Sequence, residues 1–414
     1  MTETGTIVPI LLSFGGLFLL GLLADLAGRH TPLPRVTLLL LCGFMIGPAM
    51  LDWLPALTNE WFPVLTDIAL AMIGFLLGQN MTRARFTELG RPVLAMSLGE
   101  VILTALLVFS VLWLFGFPLD IALLLAGIAP ATAPAATVDV VHEYRARGRF
   151  TDTLLGIVAI DDVWGLLMFS VLLTLAQALG GQGGEWWEVL RIGAWEIGGA
   201  VLVGGLVGLP MAYLTGRIRP GEPTQAEALG LVLLCAGIAV WAEVSYILAA
   251  MVLGAVVANL AKHHDRPFNA IEGIEWPFLI LFFLLAGAEL DLSALSQAGL
   301  LATAYIGLRI AGRLLGTRLG GQLVGVDTTT RRWIGLALLP QAGVAIGMAL
   351  LASQRFPEIK NVILPVVLGA TVVFELIGPV ATRWTLIHVG DIDTTQPHSS
   401  PHNPHSRPHK KKRP

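Results

Sequence analysis

Ile128-Ala129-Pro130-Ala131-Thr132-Ala133-Pro134-Ala135-Ala136-Thr137 lies inside an apolar stretch, 119–141, that is otherwise long enough to cross a bilayer. Two prolines four residues apart each remove a backbone N–H and crowd the preceding turn. We read a membrane-spanning helix that unwinds part-way, freeing carbonyls and the hydroxyl of Thr132 at membrane depth. Leu339-Pro340-Gln341-Ala342-Gly343 interrupts a second such stretch, 332–353. Unpaired backbone in hydrocarbon is tolerated only where it is buried in protein or lines a cavity. A single break of this kind reads as a kink. Two at related places read as a binding site.

The composition around these breaks fits a membrane protein. Of 414 residues, 55% are apolar and only 13% charged, about half the charge of a soluble domain. The mean hydropathy is +0.74. These values exclude a soluble enzyme, a disordered chain and a nucleic-acid-binding protein. Apolar stretches fall at 7–27, 34–51, 63–80, 93–115, 119–141, 153–178, 190–215, 225–241, 245–261, 274–290, 298–319, 332–353 and 361–386, which predicts thirteen spans in an all-α polytopic fold. The first follows Glu3 rather than a basic segment and ends without a small-residue cleavage site, so it is read as a span and not a signal peptide. Net charge is −3 and the two cysteines, Cys42 and Cys235, lie in apolar runs and imply no disulfide framework.

Loop charges predict the orientation. Fifteen Lys and Arg residues fall on one side of the spans, among them Arg83, Arg145, Arg266 and Arg332, against Arg191, Arg355 and Lys360 on the other. The basic side is cytoplasmic, so the chain is expected in the cell's inner membrane with the N-terminus outside and the C-terminus inside. Residues 1–388 then form the membrane domain. The remainder, 389–414, with His398, His402, His405, His409 and Lys410–Arg413 among Ser and Pro, is expected to be a disordered cytoplasmic tail.

The two halves resemble each other. Phe75-Leu76-Leu77-Gly78 and Gly90 reappear as Phe283-Leu284-Leu285-Ala286-Gly287 and Gly299; Pro130 matches Pro340; the run 156–165, containing Asp162, matches 369–378, containing Glu375. The offsets of 208 to 213 residues correspond to seven spans, and an odd number inverts the second copy. Helices 1–6 and 8–13 are thus expected to be inverted repeats with two crossed discontinuous helices, an architecture of secondary transporters.

Buried charge marks the chemistry. Asp161 and Asp162 lie about 12–14 Å into the sixth span, where a carboxylate must be paired, protonated or bound to a cation. Arg309 and Arg313 share one face of the eleventh span at i, i+4 spacing, and Glu100 of the fourth lies at similar depth. Glu100–Arg309 and Asp161–Arg313 are the expected ion pairs.

The run Thr132-Ala-Pro134-Ala-Ala-Thr137, the segment Phe150–Asp162 with its Asp-Asp pair, Gly312-Arg313-Leu-Leu-Gly316 and Leu338-Leu-Pro-Gln-Ala-Gly343 resemble the sodium/hydrogen exchanger superfamily, most closely its bacterial cation:proton antiporter-2 branch. The resemblance covers residues 1 to about 388. It implies a homodimer in which a six-helix core, helices 4–6 and 11–13, moves against a dimerisation scaffold, helices 1–3 and 8–10. It also implies that Asp162 is the essential ion- and proton-binding carboxylate and Asp161 its partner. Arg313 stands where the family has a basic residue, often Lys, and Phe374 where a perfect repeat would place a second acid. The seventh span, with Gly198, Gly199, Gly204, Gly205 and Gly208, permits close packing.

These features lead to the expectation of a monovalent cation/proton antiporter that works by alternating access without a cofactor. Asp162, Asp161 and Thr132 would hold the cation, with Arg313, Arg309 and Glu100 compensating charge and Pro130, Pro134, Pro340, Gln341 and Gly343 breaking the helices. Na⁺ is the expected cation, with K⁺ as the alternative; Li⁺ would meet the same oxygen ligands. A transporter of organic or anionic solutes on the same scaffold is disfavoured by the acids. An intramembrane aspartyl protease needs its two acids on separate helices, and no selectivity-filter segment suggests a channel. Two protons per cation are expected if Arg313 pairs with Glu100, and one if it is fixed to Asp161; the presence of Glu100 and Arg309 favours two.

Overall fold

The computed structural model describes residues 4–28, 35–54, 58–180, 186–215, 224–289, 299–341 and 343–392. Arg29, Arg217, Arg219 and the His/Lys-rich tail therefore lie outside the described residues. All the regular structure described is helical: α1 (Thr4–Gly28), α2 (Arg35–Ile46), α3 (Thr58–Gly78), α4 (Arg83–Leu114), α5 (Leu119–Ile128), α6 (Pro134–Glu143), α7 (Arg149–Gly180), α8 (Trp186–Leu214), α9 (Thr224–Trp241), α10 (Tyr246–Leu260), α11 (Asp265–Ala288), α12 (Gly299–Leu323), α13 (Thr328–Ala337), α14 (Gly343–Arg355) and α15 (Lys360–His388), with one 3₁₀ turn at Pro357–Ile359. Among the described residues, seven of these helices are long and apolar enough to cross a membrane. The chain is a multi-pass membrane protein.

The stretch 119–141 is two helices. α5 stops at Ile128, and α6 restarts at Pro134 in the first helical turn, where a missing N–H costs nothing. The stretch 332–353 is likewise divided between α13 and α14, which starts at Gly343. The short gap between the expected spans 225–241 and 245–261 is a real interruption. Glu243 adopts φ 56°, and Ser245 caps α10 by accepting a bond from the Leu248 N–H at 3.3 Å. At the start of α13 the Asp327 carboxylate accepts from the Thr330 N–H at 2.8 Å, and that bond holds its pKa below the ordinary carboxylate value.

Packing falls into two sets. α2 lies against α1 and α11, α3 against α10 and α11, and α9 against α10 and α11. In the other set α4 pairs along its length with α12, α5 packs on α7, and α13 and α14 pack on α15. α8 lies mainly against α10. The α4–α12 contact is close enough to need glycine. A Cβ on Gly316 would sit 2.4 Å from the Gly99 carbonyl oxygen, and one on Gly320 would sit 2.1 Å from that of Ala95. Backbone contact at this point brings Glu100 of α4 alongside Arg313 of α12.

Gly320→Val is therefore expected to separate α4 from α12 and lower stability by about 1–3 kcal/mol, read as a fall in melting temperature of the detergent-purified protein. Gly307→Ala is the control, because a Cβ there meets nothing within 4 Å, and it should melt like the parent.

Candidate functional site

The break after α5 and the break after α13 touch. The Ala133 N–H donates to the Pro340 carbonyl at 3.0 Å, so the two unwound segments satisfy each other in part. Most of their remaining carbonyls are taken by two fully buried arginines from α12. Arg309 donates Nε to the Ala129 carbonyl at 2.9 Å, Nη1 to that of Leu339 at 2.9 Å and Nη2 to that of Ala131 at 2.7 Å. Arg313 donates Nη1 to Leu338 at 2.8 Å, and Nη2 to Pro130 and, at 3.0 Å, to Ala131. These carbonyls are the negative C-terminal ends of α5 and α13, where a cation is stabilising. The face of the Phe374 ring lies 4.1 Å from the Arg309 guanidinium, a cation–π contact strengthened by the dry surroundings.

The acids gather on the other side of Arg313. Its Nε lies 3.3 Å from Glu100 Oε1 and its Nη1 3.7 Å from Asp161 Oδ2. One arginine thus serves both carboxylates. The expected Glu100–Arg309 pair is not the arrangement found: α12 turns Arg309 toward the helix breaks and Phe374. Asp161 also accepts from the Ser97 hydroxyl at 2.7 Å, and Glu100 from that of Thr104 at 3.3 Å.

Asp162 faces elsewhere, as its position next to Asp161 on a helix requires. Its Oδ1 accepts from the Thr132 N–H at 3.2 Å and the Thr132 hydroxyl at 3.0 Å, just before α6 begins. Asp162 keeps 3% exposure, whereas Glu100, Asp161, Arg309 and Arg313 have none. It alone of the five stands at the edge of the sealed network. Gln341 is buried with its amide nitrogen 3.5 Å from the Tyr305 hydroxyl and its Oε1 without a donor. Gly343 opens α14 against the Phe283 ring, which a Cβ there would meet at 2.7 Å. Pro130, Pro134 and Pro340 all border the unwound segments.

A model of the transmembrane sodium/hydrogen exchanger family matches residues 15–388. The chain belongs to the sodium/hydrogen exchanger family. It is a monovalent cation/proton antiporter, from a family of transporters rather than catalysts. Among its curated relatives is the ammonium/proton antiporter subunit AmhT of Alkalihalophilus pseudofirmus, 20% identical over 381 residues that cover 91% of this chain and 96% of AmhT. Another is the Na⁺/H⁺–K⁺ antiporter GerN of Bacillus cereus, 22% identical and covering 80% of this chain and 86% of GerN. The fold is that of the sodium proton antiporter MjNhaP1 of Methanocaldococcus jannaschii, with a TM-score of 0.67 at 21% identity over 92% of this chain and 95% of that one.

The sequence reading of this exchanger overlooked several polar partners. Those missed are Ser97 and Thr104, which flank the expected Glu100 at i−3 and i+4 on α4, and Tyr305, four residues before the expected Arg309 on α12. Each set completes a polar stripe on an apolar helix, a signal that was available. The contact of Phe374 with Arg309 carries no such signal.

Arg309→Lys is expected to lower stability by about 2–4 kcal/mol, because an ammonium cannot reach three diverging carbonyls and leaves some unpaired. Thermal unfolding in detergent measures this, and an unchanged melting temperature would contradict the clamp.

Proposed function

We propose that this antiporter exchanges Na⁺ for H⁺ by alternating access, with cation and proton competing for Asp162 in the company of Asp161 and Thr132. The observation that carries the proposal is the position of Asp162, at the edge of the buried charge network and bonded to an unwound helix. A cation entering there sheds water and gains carboxylate, hydroxyl and carbonyl oxygens, the ligands hard cations prefer. When the cation leaves, a proton must replace it, because an ionised carboxylate without a partner is costly in this environment. Na⁺ is preferred over K⁺ because the fold is shared with a sodium proton antiporter, MjNhaP1; proton release from the parent should therefore be larger with Na⁺ than with K⁺, Li⁺ or NH₄⁺.

The architecture we propose has thirteen spans, counting α5 with α6 and α13 with α14 as one span each, in two inverted repeats. Two pairings support the repeat. α3–α10 and α2–α11 exchange under it, and both approach through the repeated glycines: a Cβ on Gly78 would meet the Met251 carbonyl oxygen at 2.3 Å, and one on Gly287 that of Leu40 at 2.1 Å. The first packing set corresponds to a static, dimer-forming scaffold and the second to a mobile core, with α8 linking the repeats. The Arg-rich loops face the cytoplasm, leaving the N-terminus outside and the C-terminus inside.

The charge count bears on stoichiometry. Glu100, Asp161 and Asp162 against Arg309 and Arg313 leave one net negative charge when all are ionised. One Na⁺ or one H⁺ neutralises these five residues, and a second proton would make the group positive; Glu375, buried on α15, accepts from the Thr37 hydroxyl apart from them. We therefore propose one proton per cation and electroneutral exchange. This departs from the sequence expectation of two, because Arg313 bridges Glu100 and Asp161 instead of releasing Asp161 to titrate.

Asp162→Asn should reduce cation-dependent proton release in proteoliposomes to background while the protein remains folded; exchange at the parent rate would rule out Asp162 as the shared site. For stoichiometry, a valinomycin–K⁺ diffusion potential imposed during Na⁺/H⁺ exchange should leave the rate unchanged. A rate that follows the potential would restore the two-proton cycle.

A further inference from the structure

We propose that a groove between α13 and α15, on the face away from the ion site, binds an anionic glycerophospholipid. One acyl chain lies in the groove and the phosphate rests on Arg332. The groove has a volume of about 430 Å³ and is lined by Leu336, Leu376, Ile377, Val380, Ala381 and Trp384. On α15 the lining residues recur every three or four positions, forming one stripe. Val380 is 67% exposed and Trp384 47%, so the stripe is left open by the described elements.

The groove ends in an aromatic and basic cluster. Trp333 meets Trp384 edge-on with ring centroids 5.2 Å apart, and His388 stacks on Trp384 at 5.1 Å. The Arg332 guanidinium sits 5.2 Å from the Trp333 ring centroid, is exposed, and has no carboxylate partner among the described residues. Arg383 lies at the same end, over Tyr144 at 4.6 Å. An apolar trough capped by tryptophans and an unpaired guanidinium matches the order of parts in a phospholipid: chain, interface, phosphate. Tryptophan favours the headgroup boundary, and basic residues there attract anionic lipid.

The position of the groove gives the lipid a route to transport. Leu336 lines it, and the next turn presents the Leu338 and Leu339 carbonyls to Arg313 and Arg309. From the α15 side, a Cβ on Gly378 would sit 2.7 Å from Pro340 Cα. An occupied groove thus braces α13 against α15 directly behind the helix break. Only the identity of the leaflet, the cytoplasmic one, rests on the orientation proposed above; binding does not.

The test uses the full chain in phosphatidylcholine vesicles containing a small fraction of lipid brominated on the acyl chains, either phosphatidylglycerol or phosphatidylcholine. The reading is quenching of the emission lost in Trp384→Phe. Brominated phosphatidylglycerol should quench at about fivefold lower mole fraction than brominated phosphatidylcholine, the worth of one basic residue at an anionic surface. Arg332→Gln should remove the preference and Arg332→Lys retain it; both changes are at an exposed position and should leave the fold intact. Equal quenching by the two lipids overturns the proposal, as does a preference that survives Arg332→Gln. Quenching by neither means that another body, such as a second copy of the chain, covers the groove, and overturns it too. The measurement needs no transport, so it stands apart from the fate of Asp162.

Discussion

Backbone carbonyls left unpaired inside a membrane must find donors, and the core of this exchanger is arranged around that requirement. Pro130 and Pro340 stop two helices at membrane depth and expose carbonyls with nowhere to turn. One backbone bond, Ala133 to Pro340, joins the breaks. Nearly everything else falls to Arg309 and Arg313, whose planar forks span both helix ends at once. Two guanidinium groups with nothing to compensate their charge would be hard to bury. The helix C-termini, the Phe374 face, Glu100 and Asp161 together make that burial tolerable.

This clamp also sorts the acids. Arg313 lies between Glu100 and Asp161 within the sealed interior. Asp162, one residue further along α7 and about 100° around it, bonds instead to Thr132. The different partners of the two carboxylates therefore follow from helical geometry acting on an adjacent pair.

Asymmetry between the halves has a physical basis as well. Where the repeat would set an acid opposite Asp161, the chain has Phe374, and its ring takes the Arg309 guanidinium without adding charge. A further carboxylate there would shift the charge count and give Arg309 a partner of the kind Arg313 has. The aromatic face keeps Arg309 on the carbonyls. The second break thus meets Arg309 and Arg313 through its carbonyls, while Asp162 bonds to the first.

From the sequence alone it was already determined that the chain lives in a membrane, that two of its helices break, and that Asp161, Asp162, Glu100, Arg309 and Arg313 lie at membrane depth. Hydropathy, proline and charge are local properties, and a bilayer makes each of them costly enough to read. Only the tertiary structure decided which arginine meets which acid, that the two breaks touch, that Ser97 and Phe374 complete the network, and that α13 and α15 leave a groove behind it. Those outcomes depend on how far each helix is rotated toward its neighbour. That rotation is fixed by close contacts such as Gly316 against Gly99, and periodicity along one helix marks the polar face without saying which residue of a neighbour it meets.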